Sequence, residues 1–325
     1  MTGGIEAANA GHKVIMCPTS HCYFDYYQAS PNNSPVAFGG LITLKKVYSF
    51  NPIPEELKKE NQKNIIGAQG NLWTEYVQTP ERAQYRVLPR MTALSEVLWS
   101  GPGVNTYEDF FHRLNKLNNR FENLGWTVSP GSFTVDNNGT YNKDTASTKI
   151  WLSSEKPGEK IRYTLDGTKP HKTSILYTQP FFIKESKKVT AGIFIEGESP
   201  VEYSDQSFVF HKAMGKTVEY ITLHNKKYPG NGKSTLINGI KGSIDFSDGS
   251  WQGWKSSSLE IVIDLKQKTN INFIVSSFLE DHSSRIFLPK KVILSFSNDG
   301  SNYSNLLHRN ISTVVKNGQS NRFEV

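Results

Sequence analysis

Two short, nearly continuous apolar runs constrain this chain most, Lys13-Val-Ile-Met-Cys17 and Asn64-Ile-Ile-Gly-Ala-Gln-Gly70. Such runs mark strands covered on both faces, since a strand with one wet face alternates apolar and polar residues. Parallel strands need helical crossovers, and helix signals flank both runs. Ile5 to Ala10 reads as the end of a helix, with Gly11 in the stop position. Thr79-Pro80-Glu81 combines a capping hydroxyl, a proline at the first helical position and a first-turn carboxylate. Ala83, Val87, Met91, Leu94 and Leu98 follow at spacings of four and three, so one helix face is buried. Pro89 is expected to kink or split that helix. A further helix starts at Thr106, carries Phe110, Leu114, Leu117, Phe121 and Leu124 on its apolar face, and ends at Gly125.

Beyond residue 126 the period changes to that of strands. Lys160 to Leu165 alternates and runs into Asp166-Gly167, a hairpin-type turn pair. Val189, Ala191, Ile193 and Ile195 alternate likewise, and Ser204 to Phe210 is another strand candidate. About seven short strands with regular turn signals predict a small sandwich over 127–212. From 213 to 325 strands are expected at Glu260–Leu265, Ile271–Phe278 and Val292–Ser297, the last closed by Asn298-Asp-Gly300.

Composition excludes several classes. Only 2 Cys occur in 325 residues, too few for a disulfide scaffold or a four-Cys zinc site. Cys17, His21 and Cys22 lie close in sequence but lack a fourth ligand nearby, so a thiol in the strand wall and a loop histidine are the expected roles; no metal and no cofactor are predicted. No apolar run is long enough to span a bilayer, and residues 1–16 show no secretory signal. The formal charge of +7 is concentrated after residue 212, where 14 Lys and Arg face 9 Asp and Glu. These cations are scattered without the interleaved aromatics of a nucleic-acid surface, so no nucleic-acid partner is expected.

Three patterns resemble glycoside hydrolase family 20, the exo-acting β-N-acetylhexosaminidases. They are Gly11-His-Lys-Val-Ile-Met-Cys-Pro18 with Tyr23-Phe-Asp25, Gly67-Ala-Gln-Gly-Asn-Leu-Trp-Thr-Glu-Tyr76, and Pro89-Arg-Met-Thr-Ala-Leu-Ser-Glu-Val-Leu-Trp99. Their order is similar to the last two βα units of that family's (β/α)8 barrel. Ile161 to Pro170 with Leu176 to Pro180 resembles the small β domain often appended to these enzymes. Leu236-Ile-Asn-Gly239, Trp251-Gln-Gly-Trp254, Ile263-Asp-Leu265 and Ser297-Asn-Asp-Gly300 resemble a discoidin (coagulation factor 5/8 C-type) module.

The resemblance implies a multidomain chain: residues 1–126 as the C-terminal part of a catalytic (β/α)8 barrel, 127–212 as a small β-sandwich, and 213–325 as a truncated discoidin-like domain. A whole barrel of this kind takes about 250 residues, and the family's Asp-Glu general-acid pair has no counterpart here. The chain is therefore expected to be a fragment, inactive as given, whose parent hydrolyses terminal β-linked N-acetylglucosamine or N-acetylgalactosamine outside the cytoplasm. The missing N-terminal part of the barrel and glycan substrates would be its partners.

By the same resemblance, Tyr23 would hydrogen-bond the substrate's acetamido oxygen, Asp25 and Glu75 would accept from sugar hydroxyls, and Trp73 would wall the pyranose. Residue chemistry agrees, since a pyranose is apolar on its faces and polar at its rim. Trp251 and Trp254 are either an accessory sugar-stacking pair or a covered core edge. Trp99 and Trp126 are expected to pack structurally. The rival function is a carbohydrate- or cell-surface-binding protein that works through its C-terminal β modules.

Overall fold

The computed structural model describes all residues except 30–33, 39, 196–198, 201, 247, 256–257, 283, 312–319 and 325. It begins with helix α1 (Thr2–Asn9) and strand β1 (Val14–Met16), then α2 (Leu44–Tyr48) and β2 (Ile65–Ala68). Three helices follow: α3 (Pro80–Val87), α4 (Arg90–Ser100) and α5 (Tyr107–Asn123). The hydroxyls of Thr79 and Thr106 accept from Arg82 N and Asp109 N, so both helices start at the hydroxyls expected to cap them. The chain breaks between α3 and α4 at Leu88-Pro89, as a proline inside a periodic helix requires.

β1 and β2 pair in parallel, Val14 opposite Ile65 and Met16 opposite Ala68. One face of this pair meets the helices, in a core of Met16, Cys22, Phe24, Leu44, Val47, Phe50, Leu94, Phe110 and Leu114. The other face does not. Ile15 and Ile66 are 53% and 59% exposed, which corrects the expectation of strands covered on both sides. Helices lie on one side only, and no described residue layer lies on the other. Trp99 is also corrected: at 93% exposed it projects from the end of α4 instead of packing. Trp126 stacks on Phe121, with ring centroids 5.4 Å apart.

Residues 127–212 form two facing sheets. One joins β3 (Val135–Asn142), β4 (Ser147–Ser154) and β7 (Phe181–Ile183). The other runs in the order β6 (Ile175–Leu176), β5 (Lys160–Thr164), β8 (Lys187–Phe194), β9 (Tyr203–Phe208). Val135, Ile150, Leu152, Tyr163, Ile183, Val189, Ala191, Ile193 and Phe208 fill the space between them. β8 departs from simple alternation, because Val189 to Phe194 are all buried. Asp166-Gly167 does turn the chain, with Gly167 at φ 83°, but pairing resumes only at Ile175.

Among the described residues from 213 onward, the strands make three separate antiparallel ladders. β10 (Thr217–Tyr220) pairs with β11 (Ile261–Asp264), β12 (Ser277–Asp281) with β15 (Ser320–Glu324), and β13 (Lys291–Phe296) with β14 (Ser304–Asn310). The strand expected over Ile271–Phe278 begins only at Ser277, and Phe273 is left 82% exposed. No helix among the described residues is long and apolar enough to cross a membrane.

The N-terminal segment docks on the first β region through a partly buried carboxylate. Glu155 accepts from the Thr43 hydroxyl and from Lys45 N at 3.4 Å, capping α2, while the Tyr107 hydroxyl donates to its carbonyl at 3.0 Å. Burial pushes the Glu155 carboxyl above its usual range against the pull of those hydrogen bonds. A carboxyl whose folded value is raised contributes stability below the unfolded value, and loses it as pH rises through the folded one. Wild-type thermal stability should therefore fall from pH 4.5 to 7.5 more steeply than that of Glu155→Gln. Parallel melting curves for the two would contradict this.

Candidate active site

The site grows from the C-terminal ends of β1 and β2. After these strands diverge, the chain pairs once more in parallel, Tyr23 opposite Asn71. Phe24 N donates to Asn71 O at 2.6 Å, and Asn71 N donates to Cys22 O at 2.7 Å. This second pairing sets Tyr23-Phe24-Asp25 on a ledge beside the segment that continues to Trp73 and Glu75. Phe24 faces inward, fully buried, so its neighbours Tyr23 and Asp25 take the other side of the ledge. Gly70 makes room for it: a Cβ there would stand 2.6 Å from the Phe24 ring.

Tyr23 is half-buried and its ring lies 5.8 Å from that of Tyr26. Asp25 is 6% exposed, and its Oδ1 is buried without a hydrogen-bond partner. Its carboxyl is raised above the usual carboxylate value, first by burial and then by the nearby Glu75, while a hydrogen bond from its own backbone and then Arg90 and Arg86 pull the other way. A buried acceptor with a free lone pair is costly unless something arrives to donate. Trp73 is 55% exposed and Glu75 is exposed, so both can meet a ligand from solvent. Tyr23, Asp25 and Glu75 are therefore brought to one strand-end ledge, and Trp73 stands on the same segment as Glu75.

Trp251 and Trp254 belong elsewhere. Both are half-buried, and their indole N–H groups donate to Ser243 O at 2.9 Å and Thr222 O at 3.0 Å. The Trp251 ring lies against Gly242, where a Cβ would come within 2.4 Å of it. Each indole is thus held by the backbone of its own region, away from the ledge. Of the Cys/His cluster, Cys22 is a core thiol pushed up to about 12 by burial. His21 stacks on Phe50 at 5.2 Å and is lowered to about 4, chiefly by burial and then by Lys46. Cys17 is exposed.

Sequence reasoning missed the support beneath the ledge. Arg90 is buried against Phe24, Arg86 is buried beside the Tyr27 ring, and the buried Gln28 donates from Nε2 to Tyr85 O at 2.5 Å. They flank the Leu88-Pro89 break, Arg86 near the end of α3 and Arg90 at the start of α4.

Residues 2–102 match the model of the glycosyl hydrolase family 20 catalytic domain, and residues 150–208 match the Fn3 associated model. A β-hexosaminidase of Porphyromonas gingivalis is 29% identical over 309 residues, covering 93% of this chain and 38% of that protein. A β-N-acetylhexosaminidase of Cellulomonas fimi is 28% identical over 134 residues, 39% of this chain and 26% of that one. Among solved structures, the family 20 β-N-acetylhexosaminidase of Streptomyces coelicolor aligns with 39% of this chain and 26% of its own, at 20% identity and a TM-score of 0.35. The chain thus spans well under half the length of these relatives. Residues 2–102 are thus similar in sequence to the glycoside hydrolase family 20 catalytic domain.

Proposed function

We propose that this chain carries the sugar-contacting part of an exo-β-N-acetylhexosaminidase site. Such enzymes depart from the two-carboxylate scheme, because the substrate's own acetamido oxygen attacks the anomeric carbon. Tyr23 then donates to that oxygen and holds the acetamide curled beneath the ring. Asp25 and Glu75 accept from sugar hydroxyls, and Trp73 covers the apolar face of the pyranose. Protonation of the leaving oxygen falls to an Asp-Glu pair outside this sequence, on βα units that would pack against the face carrying Ile15 and Ile66. The reaction needs no cofactor.

The observation that carries this proposal is Asp25: a buried carboxylate oxygen without a donor, on the strand-end ledge it shares with Tyr23. The test is selectivity. Wild-type chain should bind N-acetylglucosamine more tightly than glucose, and Tyr23→Phe should erase most of that preference. One neutral hydrogen bond is worth ~0.5–1.5 kcal/mol net, so the loss is about 3- to 10-fold, specific to the N-acetylated sugar. Equal losses for both sugars would remove Tyr23 from the acetamide.

A further inference from the structure

We propose that Arg90, assisted by Arg86, is the positioning residue of the ledge: it clamps the backbone that presents Asp25 and supplies the positive charge that favours its carboxylate. The proposal rests on the functional reading above and assigns to it a role for two buried side chains.

Arg90 lies wholly inside the protein, at the start of α4. Its Nη1 donates to Ile42 O at 2.9 Å, and its Nη2 to Phe24 O at 2.5 Å and Arg86 O at 2.7 Å. Its guanidinium also sits 4.9 Å from the Phe24 ring centroid. One planar fork therefore joins α3, α4, the ledge residue just before Asp25, and the chain that returns at Ile42. Arg86, also buried, extends the clamp, its Nη2 donating to Pro35 O at 2.9 Å and Val36 O at 2.5 Å. Both arginines bind backbone carbonyls that follow or flank Asp25.

Neither guanidinium has a carboxylate within salt-bridge distance among the described residues. Burying a cation without a direct counter-ion is expensive, and here the expense falls on two cations side by side. Arg86 Nε and Nη1 and Arg90 Nε have no acceptor, and Asp25 Oδ1 has no donor. Charge, and not hydrogen bonding alone, links them: both arginines act on Asp25, and it acts on both. The other groups bearing on Asp25 are Glu75, on the β2 side, and Tyr26, next along its own segment. Burial and Glu75 favour the protonated acid, which can still donate but accepts poorly. Its own backbone N–H and, beside it, the charge of the two arginines favour the acceptor form that a sugar hydroxyl needs.

The experiment follows the Asp25 carboxyl by carbon NMR in chain labelled at aspartate side chains, assigned with Asp25→Asn. In Arg90→Gln, which keeps hydrogen-bonding groups and removes the charge, the Asp25 midpoint should rise by roughly one pH unit. In Arg90→Lys, which keeps the charge and loses the fork, the midpoint should stay near wild type while affinity for N-acetylglucosamine falls about tenfold. If Arg90→Gln does not fold, Arg86→Gln carries the same test and should shift the midpoint in the same direction. An unshifted midpoint in the folded neutral variant would overturn the proposal even if sugar binding persists. Failure of wild-type chain to bind the sugar, with the midpoint shift intact, would instead overturn the functional reading and leave the charge link standing.

Discussion

Phe24→Ala is expected to destabilise the N-terminal segment by about 3–5 kcal/mol, the range for truncating a fully buried aromatic ring. The ring is 0% exposed and fills the junction between the ledge and the helices. It meets the bare backbone at Gly70, where even a methyl group would collide. Arg90 stacks over it, and Asn71 holds its backbone N–H. Alanine keeps the two backbone bonds but leaves a cavity walled by glycine and a buried cation, neither of which can collapse into it cheaply. A domain's whole stability is about 5–15 kcal/mol, so this single change should leave residues 1–126 close to unfolding. Urea unfolding read by hydrogen exchange in that region measures it, with the exposed Leu124→Ala as a control expected within about 0.5 kcal/mol of wild type. A loss below about 1 kcal/mol for Phe24→Ala would mean the ledge is not anchored in this core.

Trp73→Ala should separate binding from stability. Its ring is half exposed in the free chain, so removing it should change folding stability little. A sugar laid against that ring would bury the remaining face, and aromatic truncations at such contacts cost at least ~2 kcal/mol. Affinity for N-acetylglucosamine should fall about 30-fold or more with an almost unchanged melting temperature. Comparable losses in both quantities would assign Trp73 to the core.

Much of this was legible in the sequence, for reasons that can be named. The starts at Thr79 and Thr106 were readable because a capping hydroxyl satisfies backbone donors whatever the surroundings. The two parallel strands were readable from their apolar runs, and it was the family resemblance that pointed to Tyr23, Asp25 and Glu75, which lie just past the strand ends. What failed depended on neighbours. Ile15, Ile66 and Trp99 were expected inside, yet burial is set by what packs against a residue, and nothing among the described residues covers them. Arg86 and Arg90 escaped notice for the opposite reason, since a cation on a periodic helix reads as its wet face. Ile271 to Val275 has strand composition but no described pairing partner, and pairing is a non-local property.

The central claim is that the sugar meets the ledge at β1 and β2, and the six tryptophans make it directly testable. Each indole N–H gives one resonance, so N-acetylglucosamine can be titrated into labelled chain while all are watched together. The signal of Trp73 should move in a saturable way, and the movement should vanish in Asp25→Asn, while Trp251 and Trp254, held by their backbone carbonyls, stay still. Saturable shifts at Trp251 or Trp254 with Trp73 unmoved would contradict the account and place sugar binding in the C-terminal β region.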